Sequence, residues 1–383
     1  MQEPNGQSAA ELELRSLYRL PRSIPQLDRL RGLAILLVLM NHTKKAAPQY
    51  FDGILRQGWI GVDLFFVLSG FLITGILWES RGEKGYFKRF YVRRILRIWP
   101  VYLIILFLVF AIVPLIRHLS GLSAGTLLGE PYGVWAYLLF IQNLLGPALY
   151  YSPLLSITWS LAIEEQFYLV WPAILRICRR LIILPILLAG LSAAPLIRLI
   201  ARHHGVSDIV IYICPFTHYD GLLCGAFVAI WLRSATPKRM TLLLAGSALM
   251  IAGVSLFLSI QAFFTTNVPC FPLLYTAVAI FSTGLLLIAL VSENTGKQLH
   301  RLFFMNGTLA FFGFISYGLY LYHFSIMHIA LSYNLAARLD RWHHPSMTAG
   351  LMAAGGLGLS ILVAWVSRVT LERAALSKKS LFV

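Results

Sequence analysis

The chain has 383 residues, 58% of them hydrophobic and only 13% charged, with a formal net charge of +16 and a mean hydropathy of +0.73. Soluble domains average about 25% charged residues, so this composition excludes a water-soluble fold. The basic residues cluster between apolar runs, as in a membrane protein whose positive loops stay inside, which excludes nucleic acid as the partner of so basic a chain.

Residues 1–23 form a polar N-terminal tail. No cleavable signal peptide is expected, because the first apolar run starts near Leu30, has no small-residue cleavage site behind it, and is followed by Lys44 and Lys45. That run, IPQLDRLRGLAILLVLMNHTKK, carries Arg31 and His42 eleven residues apart. On a helix this spacing returns to within about 20° of one face and puts His42 roughly 16 Å deeper than Arg31. With Arg31 at a membrane face, His42 stands near the midplane of a hydrocarbon core about 30 Å thick. An ionisable residue there is a functional candidate by default. The competing reading is a neutral packing histidine.

Apolar segments follow at about 59–79, 98–117, 133–149, 157–177, 181–201, 215–232, 241–262, 272–291, 308–331 and 347–367. Segment 133–149 is short and carries Gln142, Asn143, Gly146 and Pro147. If it is re-entrant or interfacial, 24 of the 32 Lys and Arg fall on the cytoplasmic side and 8 outside. The expected fold is therefore an all-α polytopic membrane protein. It has about ten transmembrane helices, both termini cytoplasmic, a membrane unit over 24–373 and a basic tail over 374–383.

The stretch GWIGVDLFFVLSGFLIT places Asp63 near the outer end of the second span. Its Ser69 and glycines read as small residues for close helix packing. Residues 80–102 read as a cytoplasmic loop, with seven Lys and Arg between Arg81 and Arg97. Arg94 and Arg97 share a face if the loop is helical, with Arg93 beside them. Guanidinium groups bind phosphate oxygens bidentately, although setting topology and contacting lipid headgroups would account for such charge equally well. The stretch TWSLAIEEQFYLVWP places Glu164 and Glu165 about 10–12 Å into a span entered from outside, close to the depth inferred for His42. One can serve a polar cavity while the other pairs with an arginine, or both are structural ion-pair partners. HYDGLLCGAF sets Asp220 near an outer helix end, and FGFISYGLYLYH sets Tyr317 and His323 in the outer half of a late span. His323 lines the cavity of His42 or hydrogen-bonds a neighbouring helix. No spacing suits a metal site.

Six of these stretches, in order from Pro25 to Glu372, resemble blocks of the acyltransferase 3 family. LDRLRGLAILLVLMNH is similar to its arginine-x10-histidine motif; GVDLFFVLSGFLIT, YVRRILRIWPVY, WSLAIEEQFYLVWP, HYDGLLCGAF and SYGLYLYH look like the others. The ending LERAAL departs from the pattern, with Ala374 where a proline is usual. Some relatives carry a further periplasmic hydrolase-like domain, and none is expected within these residues.

The resemblance implies a membrane O-acyltransferase, most often of the bacterial inner membrane. Its donor would be acyl-CoA, usually acetyl-CoA, reached from the cytoplasm. Its acceptor would be a hydroxyl, often on a glycan: O-antigen, exopolysaccharide, peptidoglycan, an oligosaccharide signal or a macrolide. The expected catalytic group is then His42, as general base or acyl carrier, with Glu164, Glu165 and Arg31. Arg93, Arg94 and Arg97 are expected at the donor phosphates. Asp63, Trp159, Asp220, Tyr317 and His323 are expected to contact substrate. The alternative is a transporter or flippase, which the lack of internal repeats disfavours.

Overall fold

The computed structural model describes residues 24–43, 52–120, 132–146, 153–263, 272–291, 307–332 and 345–381. The expected N-terminal tail 1–23 lies outside them. Among the described residues there is no strand, and ten helices have 16 residues or more. In chain order they are α1 (Pro25–Thr43), α2 (Ile60–Glu79), α3 (Tyr86–Phe107), α5 (Thr158–Ile177), α6 (Arg180–His203), α7 (Asp220–Ala235), α8 (Arg239–Phe263), α9 (Pro272–Val291), α10 (Gly307–Ser332) and α11 (Pro345–Ser367). A five-residue helix, α4 (Val134–Leu138), lies between α3 and α5.

Seven of these helices, α2, α3, α6 and α8 to α11, are long and apolar enough to cross a membrane. The other three, α1, α5 and α7, carry Arg31 and His42, Glu164 and Glu165, and Asp220. Polar groups lower the mean hydropathy of α1 and α5, and α7 is short at 16 residues. Large apolar side chains cover the outer surface, Leu181 at 88% exposure among them, a surface that lipid rather than water suits. The chain is an integral membrane protein.

In lipid there is little hydrophobic drive between helices, so close packing relies on small residues. Gly32 of α1 sits against the Leu309 carbonyl of α10, and Gly313 of α10 against the Asp28 carbonyl of α1. Gly70 of α2 and Gly225 of α7 make the same reciprocal contact through Leu222 and Val67. A methyl group at any of the four would collide with backbone. These contacts fix α10 beside α1 and α7 beside α2, which positions the site.

One local reading changes. The segment 80–102 is a loop only at its start: Gly85 adopts a left-handed φ of 73° and α3 begins at Tyr86. Arg93, Arg94 and Arg97 therefore stand on a helix, which the Lys, Arg and Leu residues there favour. Segment 133–149 holds α4 and a turn with Phe140 at a φ of 53°, and residues 147–149 lie outside the described residues. Its irregular backbone is satisfied by protein: Gln166 of α5 donates to the Phe140 carbonyl at 2.7 Å, and Asn143 donates to the Ile213 carbonyl at 3.1 Å. Only such cover makes non-helical backbone tolerable at membrane depth.

Candidate active site

Pro25 in the first turn and Asp28 facing the positive end of the helix dipole start α1. Asp28 accepts from Arg31 Nη1 at 2.8 Å. The helix then carries the chain inward without a breaker to His42 in its last turn. Arg31, Arg94, Arg97, Glu164 and Tyr317 all line one cavity of about 120 Å³, together with Ser69, Ser160, Tyr168 and Tyr320. At about 10–15 Å³ per water position, that is room for several waters or a short acyl arm.

Glu164 accepts from Tyr168 at 3.1 Å, one helical turn away, and the Tyr168 hydroxyl also meets Ser69 of α2. Glu165 points elsewhere, within electrostatic range of Arg94, and its Oε1 is buried without a hydrogen-bond partner. Arg94 Nε is likewise buried and unpartnered. Tyr317 donates to the Ile98 carbonyl at 2.6 Å, tying α10 to α3 beside the arginines.

His42 and His323 meet beyond the cavity, with Nδ1 of His42 2.8 Å from Nε2 of His323 and their rings stacked. The Leu319 carbonyl lies 2.9 Å from Nδ1 of His323. A carbonyl only accepts, so the His323 proton sits on Nδ1 and its Nε2 is the acceptor. Nδ1 of His42 then donates, which leaves Nε2 of neutral His42 as the basic nitrogen. Tyr320 of the cavity lining stands near this pair: its ring lies 6.0 Å from that of His323 and its hydroxyl is 2.6 Å from Ser160.

The structure separates Glu164 from His42. Ser160, one turn nearer the start of α5, stands beside Tyr320 and the histidine pair, whereas Glu164 faces the arginines. Counting from Thr158 assumed that α5 begins at a membrane face. It begins under protein, with Ile157 and Thr158 already buried.

Asp63, Trp159 and Asp220 do not line this cavity. They belong to a second buried group, in which His218 Nε2 is 2.9 Å from Asp63 and its ring packs against Trp159. Arg198 of α6 donates to Asp220 at 2.9 Å and to the Thr217 carbonyl at 2.6 Å. Arg93 is also off the cavity lining. Sequence reasoning missed Tyr168, Ser69, Ser160 and Tyr320 in the cavity, and His218 and Arg198 outside it. Only Tyr168 carried a local signal, its position four residues after Glu164 on a helix.

A bundle of apolar helices surrounds a cavity lined by arginines and a carboxylate, with a histidine pair beyond, in an integral membrane protein. The chain belongs to the acyltransferase 3 family, whose acyltransferase-domain model matches residues 24–369. It is 30% identical over 330 residues to the peptidoglycan O-acetyltransferase OatA of Listeria monocytogenes, covering 79% of this chain and 49% of that one. It is 29% identical over 344 residues to the putative peptidoglycan O-acetyltransferase YrhL of Bacillus subtilis, covering 84% and 51%. A putative O-acetyltransferase of Staphylococcus aureus is 28% identical over 336 residues, covering 82% and 52%. The chain thus spans about half the length of the curated relatives it matches. No solved structure matches it. These matches favour an acyltransferase over a transporter.

Proposed function

We propose that this protein is a membrane O-acetyltransferase of the bacterial inner membrane, moving an acetyl group from acetyl-CoA to a hydroxyl of a glycan acceptor. Peptidoglycan is the acceptor class that the names of two relatives favour. The observation that carries the reading is the convergence of Arg31, Arg94, Arg97, Glu164 and Tyr317 on one cavity, whose lining residue Tyr320 stands near His323 of the His42–His323 pair.

In this reading Arg94 and Arg97 hold donor phosphates at the cytoplasmic end, and the acyl arm enters past Arg31. Glu164 and Glu165 offset only part of the arginine charge. Nε2 of His42 takes the proton of the acceptor hydroxyl, and the oxygen attacks the thioester carbonyl. The C–S bond breaks, and the CoA thiolate recovers the proton from the imidazolium. A base within hydrogen-bond reach is what a weakly nucleophilic sugar hydroxyl needs near neutral pH. His323 fixes the tautomer that keeps the basic lone pair on Nε2. Ten spans, cytoplasmic termini and a non-crossing 133–149 complete the proposal, motivated by the 24-to-8 division of Lys and Arg. A cysteine at position 180 labelled from outside would overturn that topology.

The test is reconstitution in lipid vesicles with acetyl-CoA and a peptidoglycan glycan. Free CoA and an acetylated glycan, found together by thiol assay and mass spectrometry, are expected. Donor-dependent transport of the glycan without acetylation would refute the reading.

A further inference from the structure

We infer that the C-terminal segment completes the donor site, with Lys379 and Arg368 extending the arginine cluster of α3 into a surface for a second phosphate. The inference rests on reading the cavity as the acyl-CoA site. After α11 the chain continues through a π-helical turn (Arg368–Glu372), a short helix (Arg373–Ser377) and a 3-10 turn (Lys378–Leu381). All three pack along α3. A π turn widens the helix locally and recurs at functional sites; here it presents Arg368 and Glu372. The Arg368 guanidinium lies over the Phe314 ring at 4.6 Å and donates to Glu372 at 3.2 Å, while its Nε is buried without a partner.

Lys379 lies close to Arg93, Arg94, Arg97 and Arg368. Burial, together with those four charges, pushes its ammonium down to about 8. Among the described residues, no carboxylate lies within ion-pair distance of Arg93, Arg94, Arg97 or Lys379. Like charges gathered this closely repel, and the arrangement becomes favourable once an anion sits among them. Arg94 and Arg97 line the cavity, whereas Lys379 and Arg368 do not. A donor with its acyl arm in the cavity meets Arg94 and Arg97 with its diphosphate. Its remaining phosphate, the 3′-phosphate of the ribose, then falls outside the cavity toward Lys379 and Arg368. An anionic lipid headgroup offers the same chemistry, and the experiment separates the two.

The experiment measures steady-state acetyl transfer by the full chain in phosphatidylcholine vesicles, with acetyl-CoA and with acetyl-3′-dephospho-CoA. Lys379→Ala is expected to raise the KM for acetyl-CoA about tenfold, in line with loss of one charge-assisted contact, and to leave kcat unchanged. Its KM for the dephospho donor should match that of the wild type, and Lys379→Arg should restore the preference. An equal KM change for both donors, or none, overturns the inference. So does an effect that appears only when phosphatidylglycerol is added, which would assign Lys379 to lipid. Arg94→Ala/Arg97→Ala tests the underlying reading separately: unchanged KM for both donors there refutes the cavity as donor site, whatever Lys379 does.

Discussion

Two buried charged groups lie within this bundle, and they are built differently. In one, Asp63 faces His218 and Asp220 faces Arg198, each at 2.9 Å, with Arg198 and His218 fully buried and Trp159, Tyr212 and Tyr275 packed around the imidazole. Each acid keeps one oxygen without a partner, yet every charge has a counter-charge. In the other, Arg94, Arg97 and Glu165 have no ion-pair partner among the described residues, although they sit together around or beside a cavity. A charge that is buried and matched holds helices in place. A charge gathered with its like around a space stays under-compensated until a ligand arrives. In the proposed reading the first group serves the fold and the second the reaction, a distinction open to breaking from either side.

The largest effect is expected at His42. His42→Ala should lower acetyl transfer by about 10²–10⁴-fold, as removal of a general base does, while the protein inserts normally. Turnover assays on reconstituted protein check this, and near-wild-type transfer would make His42 a packing residue. Next is the paired group. Arg198→Ala leaves Asp220 buried without its cation and should destabilise by about 3–5 kcal/mol, read as a lower unfolding midpoint in detergent. Arg94→Ala should leave that midpoint nearly unchanged; if the two fall equally, the distinction between the groups fails.

The smallest effect concerns pH. The groups around Lys379 are Arg93, Arg94 and Arg97 of α3 and Arg368 of the π turn, the last paired with Glu372. The ammonium carries its charge below about 8 and loses it above, so phosphate binding by Lys379 fades as pH rises. The KM for acetyl-CoA should therefore increase on going from pH 7 to pH 9. Lys379→Arg, charged throughout that range, should flatten the profile. An identical rise in wild type and Lys379→Arg would remove Lys379 as its source.

Much of this was legible in the sequence. Periodic apolar runs located the long helices, because a chain in lipid must satisfy its backbone within each segment. Arg31 and His42 were legible as one helical face because they share a helix. What was hidden depended on contacts between helices. The partner of Asp63 is 155 residues away, that of His42 is 281 away, and Ser69 meets Tyr168 across 99. No local period records such pairings. Ser69 read as a packing residue because its size is visible in the sequence and the neighbour of its hydroxyl is not. Glu164 read as level with His42 because where α5 starts depends on the covered turn before it, which only the folded chain reveals.

The central claim is that the under-compensated arginines form the donor site and the histidine pair serves a later step. The direct measurement is the equilibrium affinity for acetyl-CoA of the wild type, Arg94→Ala/Arg97→Ala and His42→Ala in the same vesicles. The double variant should bind more weakly by on the order of 1.5–3 kcal/mol for each arginine, and His42→Ala should bind as the wild type does. Unchanged affinity in the double variant would contradict the account and leave those arginines to membrane topology.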